Sequence, residues 1–349
     1  GKEQQLRAAD YLTVWLGTHS KRFGTAFNPY WHGRMLERVQ AQGATAVFYS
    51  YIIAMLARHE ESILDCDVGA RSLCVHGADF VRRNERGILA LYEQYANQTA
   101  RKLGRGAQVV WLMEPDWHQY HEGTQRGGGL SQSQMVRLFG LMVGRIKRHL
   151  PAARISFDVS PWVNDQREWM APFLQHAAID YLHTSGGRTT AGSARVRAHE
   201  PGNLVTWAEL HRVSGRGIIA DTGYGIGGKL TQERPFDSVW LDADNLRARI
   251  ADGLVAVTYA NPGATWDHKL SRLRGALPPA RHCLGRTAPG MAPQPERHRR
   301  GRAANASDQM HRHGHAHAAH GSGHASKPRV KKRGTWAQPQ GDFYGADHR

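Results

Sequence analysis

Three carboxylate side chains stand directly after short apolar runs in this 349-residue chain. Glu114 follows VVWLM, Asp158 follows ISF and Asp221 follows GIIA. Cleavage of a glycosidic bond needs one carboxylic acid that donates a proton and a second carboxylate that acts as nucleophile or base. Burial and nearby carboxylates raise the pKa of such an acid into the range of a proton donor. We therefore predict Glu114 as the proton donor, with Asp221 or Asp158 as its partner.

Other polar and aromatic residues lie beside these carboxylates or after other apolar runs. Aromatic ring faces stack on sugar rings, which is typical of carbohydrate sites. Asp116 is a further acid candidate, because residues two apart in a strand point to one side. We expect substrate contacts from Trp15, His19, Asp116, Trp117, Tyr120, Trp162, His183, Tyr224 and Trp240.

A structural role is the alternative for each carboxylate. A Glu at a strand end can bond to the backbone or to an Arg, and an Asp favours turns because it bonds its own backbone. Glu209 is set aside as a catalytic candidate, because the apolar residues Val205, Leu210 and Val213 place it on the exposed face of a helix.

Seven short apolar segments precede the polar positions, and a helix-like stretch follows most of them. This alternation is typical of parallel βαβ units. The predicted strands are residues 11–16, 44–49, 108–113, 153–157, 179–182, 217–220 and 254–259. The predicted helices are residues 30–42, 84–103, 131–149, 165–176, 205–214 and 243–250. We predict an α/β fold, a TIM-like (β/α)8 barrel with seven of its eight strands identified, whose site lies at the carboxyl ends of the strands.

The segment VVWLMEPDW resembles the fourth-strand acid/base motif of the clan of (β/α)8 glycoside hydrolases that includes many cellulases and mannanases, where the strand ends in Asn-Glu-Pro. The stretch from Tyr11 to Trp266 also resembles barrel domains of secreted bacterial proteins that accompany cellulose-binding modules, notably at LSQSQ, DVSPWV, TSGG and ADTGYG. The resemblance implies that Glu114 is the acid/base residue. Met113 stands where the clan has Asn, and Asp221 stands where the clan has a Glu nucleophile.

Most of the net charge of +16 belongs to the C-terminal part of the chain. Residues 1–270 hold 31 Lys and Arg against 26 Asp and Glu, whereas residues 271–349 hold 15 against 4. Apolar periodicity also ends near Ser271, so we predict a barrel over 1–270 and a disordered, basic, His-rich tail over 271–349. The same tail composition arises when a GC-rich gene is read out of frame. The tail histidines point to adventitious binding of transition metals rather than to a defined site.

Two of the three cysteines, Cys66 and Cys74, lie close together in a stretch rich in Gly and Asp. A local disulfide and two free thiols are both compatible with this spacing, and a disulfide favours a secreted protein. The longest apolar runs are well short of the ~20 residues that span a bilayer.

The sequence thus favours a secreted, monomeric glycoside hydrolase that acts on a β-linked polysaccharide such as cellulose or a hemicellulose. We expect neither a cofactor nor a metal site, no specific nucleic-acid partner and no membrane association. Two alternatives from other classes stay open. One is a non-catalytic carbohydrate-binding barrel, and the other is nucleic-acid binding by the Lys and Arg residues of the tail.

Overall fold

The computed structural model describes residues 8–17, 26–66, 71–121, 128–161, 163, 165–175, 178–184, 189–197, 206–222, 239–259 and 266–278. Within them, seven strands form one sheet in which every neighbouring pair is parallel and the strand order follows the chain. The strands are β1 (Tyr11–Leu16), β2 (Thr45–Ser50), β3 (Val110–Met113), β4 (Arg154–Asp158), β5 (Tyr181–His183), β6 (Gly217–Asp221) and β7 (Leu254–Thr258). All seven predicted strands are confirmed, with ends that differ by at most two residues. An eighth strand is not found in the sheet of the described residues.

Helices connect successive strands. They are α1 (Arg34–Gln42), α2 (Ile52–Glu61), α3 (Leu73–Leu103), α4 (Gln132–His149), α5 (Gln166–Leu174), α6 (Trp207–Ser214), α7 (Ala243–Ala251) and α8 (Trp266–Ala276). A π-helical turn, Pro29–Gly33, leads into α1, and a 3-10 turn, Trp117–Tyr120, follows β3. All six predicted helices are present, and the structure adds α2, α8 and the first turns of α3.

Helix α2 and the first turns of α3 were not predicted, because their residues resemble a strand or a loop in sequence. The apolar residues of α2 continue the apolar run of β2, so the change from strand to helix at Ile52 left no signal in the sequence. The stretch around Cys74 contains Gly and Asp, yet α3 begins at Leu73 and includes that cysteine. Ser131 and Gln134 cap the N-terminus of α4, since the Ser131 hydroxyl accepts from the Gln134 amide and the Gln134 side chain accepts from the Ser131 amide.

The sheet is curled, and its two faces have different neighbours. Side chains alternate between the faces of a strand. One face packs against the helices, whereas alternate residues of β2, β3 and β6, namely Val47, Tyr49, Val110, Leu112 and Ile219, form a cluster of their own. The Tyr11 hydroxyl of β1 donates to the Val257 carbonyl of β7 over 2.6 Å, which brings the two edge strands together.

Gly17 allows the end of β1 to approach the start of α2. Its φ of 78° lies in the left-handed region, and a Cβ atom there would be 2.8 Å from the Ile52 Cα atom. The amide of Gly17 donates to the Tyr95 hydroxyl over 3.0 Å. A side chain at this position would therefore push apart the strand and the helix that border the site.

Helix α8 extends beyond residue 270, where sequence analysis placed the end of the barrel. Leu273 on this helix is buried in the core. Arg274 pairs with Asp10, and the Asp267 carboxylate accepts from the Ala8 amide over 2.7 Å. Among the described residues, no helix is long and apolar enough to cross a membrane.

Two truncations should therefore behave differently. Deletion of 279–349 should leave the free energy of unfolding unchanged, since the sequence of that segment has no apolar periodicity. Deletion of 271–349 should lower the free energy of unfolding by about 2 kcal/mol, because it removes buried Leu273 and the second half of α8. Urea unfolding of both truncated proteins measures the difference, and equal stability would contradict the role given to α8.

Candidate active site

Polar side chains of the inner face gather at the carboxyl end of the curled sheet. Asp221 ends β6, and its carboxylate accepts hydrogen bonds from two other strands, β2 and β7. The Tyr49 hydroxyl of β2 donates to Asp221 Oδ2 over 2.8 Å, and the Thr258 hydroxyl of β7 donates to Asp221 Oδ1 over 3.1 Å. Two hydroxyl donors on one carboxylate stabilise its negative charge.

Asp158 ends β4 and is fully buried. Its Oδ2 atom accepts from the Ser160 hydroxyl over 2.6 Å and from the Trp117 amide over 3.3 Å. The second of these bonds joins β4 to the 3-10 turn after β3. Asp158 therefore holds the turn that carries Asp116.

Asp116 lies on that turn, with a φ of 63° in the left-handed region that Asp tolerates better than most residues. Asp116 as a whole residue is partly accessible, while its carboxyl group is surrounded by protein. Burial raises the pKa of Asp116 well above its ordinary value, and the charges of Asp158, Asp65 and Asp221 raise it further, whereas Arg197 lowers it. A carboxyl group with a raised pKa among other carboxylates is the usual form of a general acid.

Arg197 supplies a positive charge to this group of carboxylates. It lies in the segment between β5 and α6, and only 2% of it is exposed. Its positive charge lowers the pKa of Asp116 and so offsets part of the effect of the nearby acids.

Glu114 directly follows β3, as predicted, but its side chain contacts the layer outside the sheet. Its Oε1 atom accepts from the amides of Ile52 and Ile53, over 3.1 and 3.3 Å, and from the Tyr92 hydroxyl over 2.5 Å. These partners lie on α2 and α3. The backbone of Glu114 has a φ of 35°, which interrupts the alternation that would place the side chain on the inner face.

These contacts make Glu114 a cap for α2. The residue that precedes this helix, Tyr51, makes no side-chain capping bond, so the first amides of the helix depend on Glu114 for an acceptor. Burial raises the pKa of Glu114 to about 8. The Glu114 Oε2 atom has no hydrogen-bond partner in the part of the chain that the structure describes.

His183 ends β5 and is fully buried beside Tyr49, with 6.1 Å between the ring centres. Its Nδ1 atom lies 3.0 Å from the Ser156 hydroxyl oxygen. Burial lowers the pKa of His183 to about 3, so the ring is neutral over the ordinary pH range. The imidazole therefore adds no positive charge to the site.

The aromatic residues expected to stack sugars divide into three groups. Trp15 is partly exposed and packs on Tyr49, with 4.4 Å between ring centres. The rings of Trp117, Tyr120 and Trp240 are buried in the core, so this conformation offers no ring face of theirs to a sugar. The remaining three expected contact residues lie outside the described residues: His19, Trp162 and Tyr224.

Sequence reasoning missed four residues of this region. Tyr49 and Thr258 lie on the inner face of their strands, so strand periodicity could have suggested them. Asp65 and Arg197 lie in irregular segments, where no pattern of the sequence marks them.

The local disulfide is present between Cys66 and Cys74, whose Cα atoms are 5.0 Å apart.

No metal centre is formed by the side chains that the structure describes, since no three of their His, Cys, Asp or Glu residues are arranged to hold an ion.

No protein-family model and no curated protein matches this chain. Similar solved structures include morphinone reductase in complex with tetrahydroNAD, at 14% identity and a TM-score of 0.48, covering 78% of this chain and 80% of that one. The catalytic domain of β-amylase from Paenibacillus polymyxa has 10% identity and a TM-score of 0.48, with 78% and 94% covered. A polyextremophilic β-galactosidase from the Antarctic haloarchaeon Halorubrum lacusprofundi has 12% identity and a TM-score of 0.47, with 76% and 54% covered.

The capping contacts of Glu114 predict the stability of two variants. Glu114→Ala should lower the free energy of unfolding by about 2 to 4 kcal/mol, because two helix amides and a tyrosine hydroxyl lose a buried acceptor. Glu114→Gln keeps an oxygen at the same place and should cost about 1 kcal/mol or less. Urea unfolding at pH 6 measures both, and equal losses would argue against a capping role.

The raised pKa of Glu114 also gives stability a pH dependence of definite sign. The folded protein holds this proton up to about pH 8, whereas the unfolded chain releases it near the ordinary value of 4.5. Between these limits the folded state binds more protons, so its stability relative to Glu114→Gln should fall as the pH rises. Unfolding curves at several pH values measure this, and a difference that stays constant would mean that Glu114 is not protonated in the fold.

Proposed function

We propose that this chain hydrolyses the glycosidic bonds of a polysaccharide, with Asp116 as the proton donor and Asp221 as the ionised partner. The observation that carries the proposal is the position of Asp158 and Asp221 at the carboxyl ends of two parallel strands, with Asp158 bonded to the turn of Asp116 and both acids near enough to raise its pKa. Their environments differ in the way that acid/base chemistry requires. The pKa of Asp116 is raised, and the carboxylate of Asp221 accepts hydrogen bonds from two hydroxyl groups.

Asp116 suits the role of the acid for two reasons. Its raised pKa keeps the carboxyl group protonated at a pH where an ordinary Asp is ionised. Asp116 as a residue keeps part of its surface accessible, whereas Asp158 and Glu114 are buried. In the proposed reaction, Asp116 transfers its proton to the leaving oxygen as the bond to the anomeric carbon breaks.

Asp221 suits the role of the charged partner. The hydroxyl groups of Tyr49 and Thr258 stabilise its carboxylate and fix its orientation. An ionised Asp221 either attacks the anomeric carbon or takes a proton from the water that attacks it. Both routes need the negative charge that the two donors maintain.

The other two predicted carboxylates receive supporting roles in this proposal. Asp158 positions the turn of Asp116 through the Trp117 amide, and its charge raises the pKa of Asp116. Glu114 caps α2 and so holds the end of β3 against the helices. We accordingly move the role of proton donor from Glu114 to Asp116.

The substrate class and location of the protein belong to the same proposal. Among the expected aromatic contact residues that the structure describes, Trp15 keeps accessible surface. Its ring packs on Tyr49, whose hydroxyl donates to Asp221. A sugar stacked on the Trp15 ring would therefore lie near Asp221. The disulfide supports a secreted protein, since disulfides persist in oxidising compartments. A β-linked plant or microbial polysaccharide, a monomeric protein and a tail without a specific nucleic-acid target stay part of the proposal.

A non-catalytic carbohydrate-binding barrel is the second candidate function. It is favoured by the position of Glu114, because the acid of the fourth-strand motif that this segment resembles contacts helix amides here. Binding of a polysaccharide without release of new reducing ends would support this candidate against hydrolysis.

The test of the proposal is hydrolysis of a panel of plant and microbial polysaccharides by the full chain, followed as new reducing ends. On the best substrate, Asp116→Asn and Asp221→Asn should each lower the rate on the order of 10²-fold or more, because an amide neither donates the proton nor carries the charge. Asp244→Asn is the matched control, since the Asp244 side chain is 88% exposed on α7. Rates of both site variants near that of the control would refute the assignment.

Glu114→Gln separates the proposed roles of the two acids. If Glu114 only caps α2, this variant should retain turnover within about tenfold of the wild type, since the amide oxygen still accepts from the helix. Initial rates below the melting temperature of the variant measure this. A loss as large as that of Asp116→Asn would return the role of proton donor to Glu114.

A further inference from the structure

The connection between β1 and α1 carries two neighbouring aromatic residues, Tyr30 and Trp31, which keep part of their surface accessible. Their ring centres lie 4.8 Å apart, with an angle of 85° between the planes. Both residues lie in the π-helical turn that leads into α1, and the Asn28 side chain accepts from their two amides over 2.7 and 3.2 Å. Neither ring belongs to the hydrophobic core formed by the described residues.

A buried histidine joins this turn to the end of β1. The His32 Nδ1 atom accepts from the Asn28 amide over 2.7 Å, and its Nε2 atom lies 3.2 Å from the Trp15 carbonyl oxygen. Burial lowers the pKa of His32 to about 4, so the ring is neutral and carries its one proton on Nε2, from which it donates to Trp15. The backbone of Trp15 is therefore tied to the turn that carries Tyr30 and Trp31.

Arg34, the first residue of α1, lies over the face of the Tyr30 ring, with 4.2 Å between the guanidinium carbon and the ring centre. It is exposed, and no carboxylate of the residues that the structure describes forms an ion pair with it. Three exposed or half-exposed arginines of α3 and α4 differ in this respect, since Arg83, Arg137 and Arg145 each pair with a glutamate.

The acidic residue of α1 is Glu37, and its carboxylate is bound elsewhere. Its Oε1 atom accepts from Lys102 Nζ over 2.8 Å, so a second cation offsets its charge. The N–H donors at the edge of the Arg34 guanidinium thus remain available to a ligand. A guanidinium stacked on a ring keeps this edge open, and its parallel donors match the two oxygens of a carboxylate.

We propose that Arg34, Tyr30 and Trp31 form a subsite for an acidic sugar, in which the guanidinium binds the carboxylate of a uronic acid and an aromatic ring packs on the sugar ring. A neutral sugar needs no cation and an inorganic anion needs no ring, whereas a uronic acid uses both. The inference rests on the proposed function, because it names the substrate class of that site as a polysaccharide that contains uronic acids.

The position of the subsite suits a substrate that also occupies the candidate site. The connection from β1 to α1 leaves the sheet at its carboxyl end, where the sites of such barrels lie. Trp15, which His32 ties to the turn, packs on Tyr49, and the Tyr49 hydroxyl donates to Asp221. A polysaccharide chain bound at Asp221 can therefore continue past Trp15 onto the subsite.

The experiment compares two oligosaccharides that differ only in charge. One is the β-1,4-linked hexasaccharide of glucuronic acid, and the other is cellohexaose, which has a hydroxymethyl group in place of each carboxylate. Binding to the full chain is measured by titration calorimetry, in the Asp221→Asn background where an oligosaccharide is cleaved. The variants are Arg34→Met, which keeps an apolar chain on Tyr30, and Trp31→Ala. Arg212→Met is the matched control, since the Arg212 side chain is 69% exposed on α6.

The wild type should bind the glucuronate hexasaccharide more tightly than cellohexaose. Arg34→Met should weaken binding of the glucuronate ligand about tenfold and leave that of cellohexaose unchanged, because a charge-assisted bond to the carboxylate is lost. Trp31→Ala should weaken both about tenfold, since both sugars lose a ring contact. The basic C-terminal segment is the same in every variant, so its own attraction for the charged ligand cancels in these comparisons.

Equal affinity of the wild type for the two hexasaccharides overturns the inference, and so does an Arg34→Met protein that binds like Arg212→Met. An effect of Arg34→Met without one of Trp31→Ala overturns the sugar subsite, because it leaves an anion site alone. If Trp31→Ala does not fold, Trp31→Leu removes the ring while it keeps apolar volume, and the same comparison applies.

Turnover keeps this inference distinct from the proposed function. If the chain hydrolyses the glucuronate polymer, Arg34→Met should raise KM about tenfold with kcat unchanged, because Arg34 binds substrate without acting on the reacting bond. Hydrolysis of neutral polysaccharides alone overturns the subsite and leaves the proposed function standing. If no polysaccharide is cleaved, the proposed function fails, whereas the binding comparison still decides whether the subsite exists.

Discussion

The hydrogen bond between Tyr49 and Asp221 joins β2 to β6 across the interior of the sheet, and the site depends on the curvature that it reflects. A flat sheet would keep these two strands far apart, with three strands between them. In the part of the chain that the structure describes, inner-face side chains of β2, β3 and β6 pack on one another, which requires the sheet to curl. The carboxyl ends of the strands then converge, and so do the acids that follow them.

Negative charges that converge in a buried space repel one another, and each acid is stabilised in a different way by its neighbours. Asp221 keeps two hydroxyl donors, Asp158 accepts from an amide and a hydroxyl, and Arg197 adds a positive charge. Glu114 leaves the inner face and bonds to helix amides. Asp116 stays in the group with a raised pKa, so the differences in reactivity among these acids arise from their neighbours rather than from their side-chain chemistry.

Strand periodicity and the position of acids after apolar runs were sufficient to predict all seven strands and the place of Glu114, Asp158 and Asp221. They could not predict where the Glu114 side chain points, because that depends on a φ of 35° and on the amides of α2, a helix whose start has no sequence signal. The sequence also could not predict that Trp117 and Trp240 are buried, since aromatic residues occur both in hydrophobic cores and in sugar-binding sites. Asp65 and Arg197 lie in irregular segments, so no periodic pattern of the sequence shows that their charges act on Asp116.

The link between the first strand and the last helix has a consequence for how the protein is made. Ala8 bonds to Asp267, and Asp10 pairs with Arg274, so the contacts that join the two edges span more than 250 residues of sequence. Such contacts form late, because a long loop must close before they gain anything. During synthesis, the segment that precedes β1 therefore lacks these partners until α8 has emerged, and for that period it is open to contacts with other incompletely folded chains.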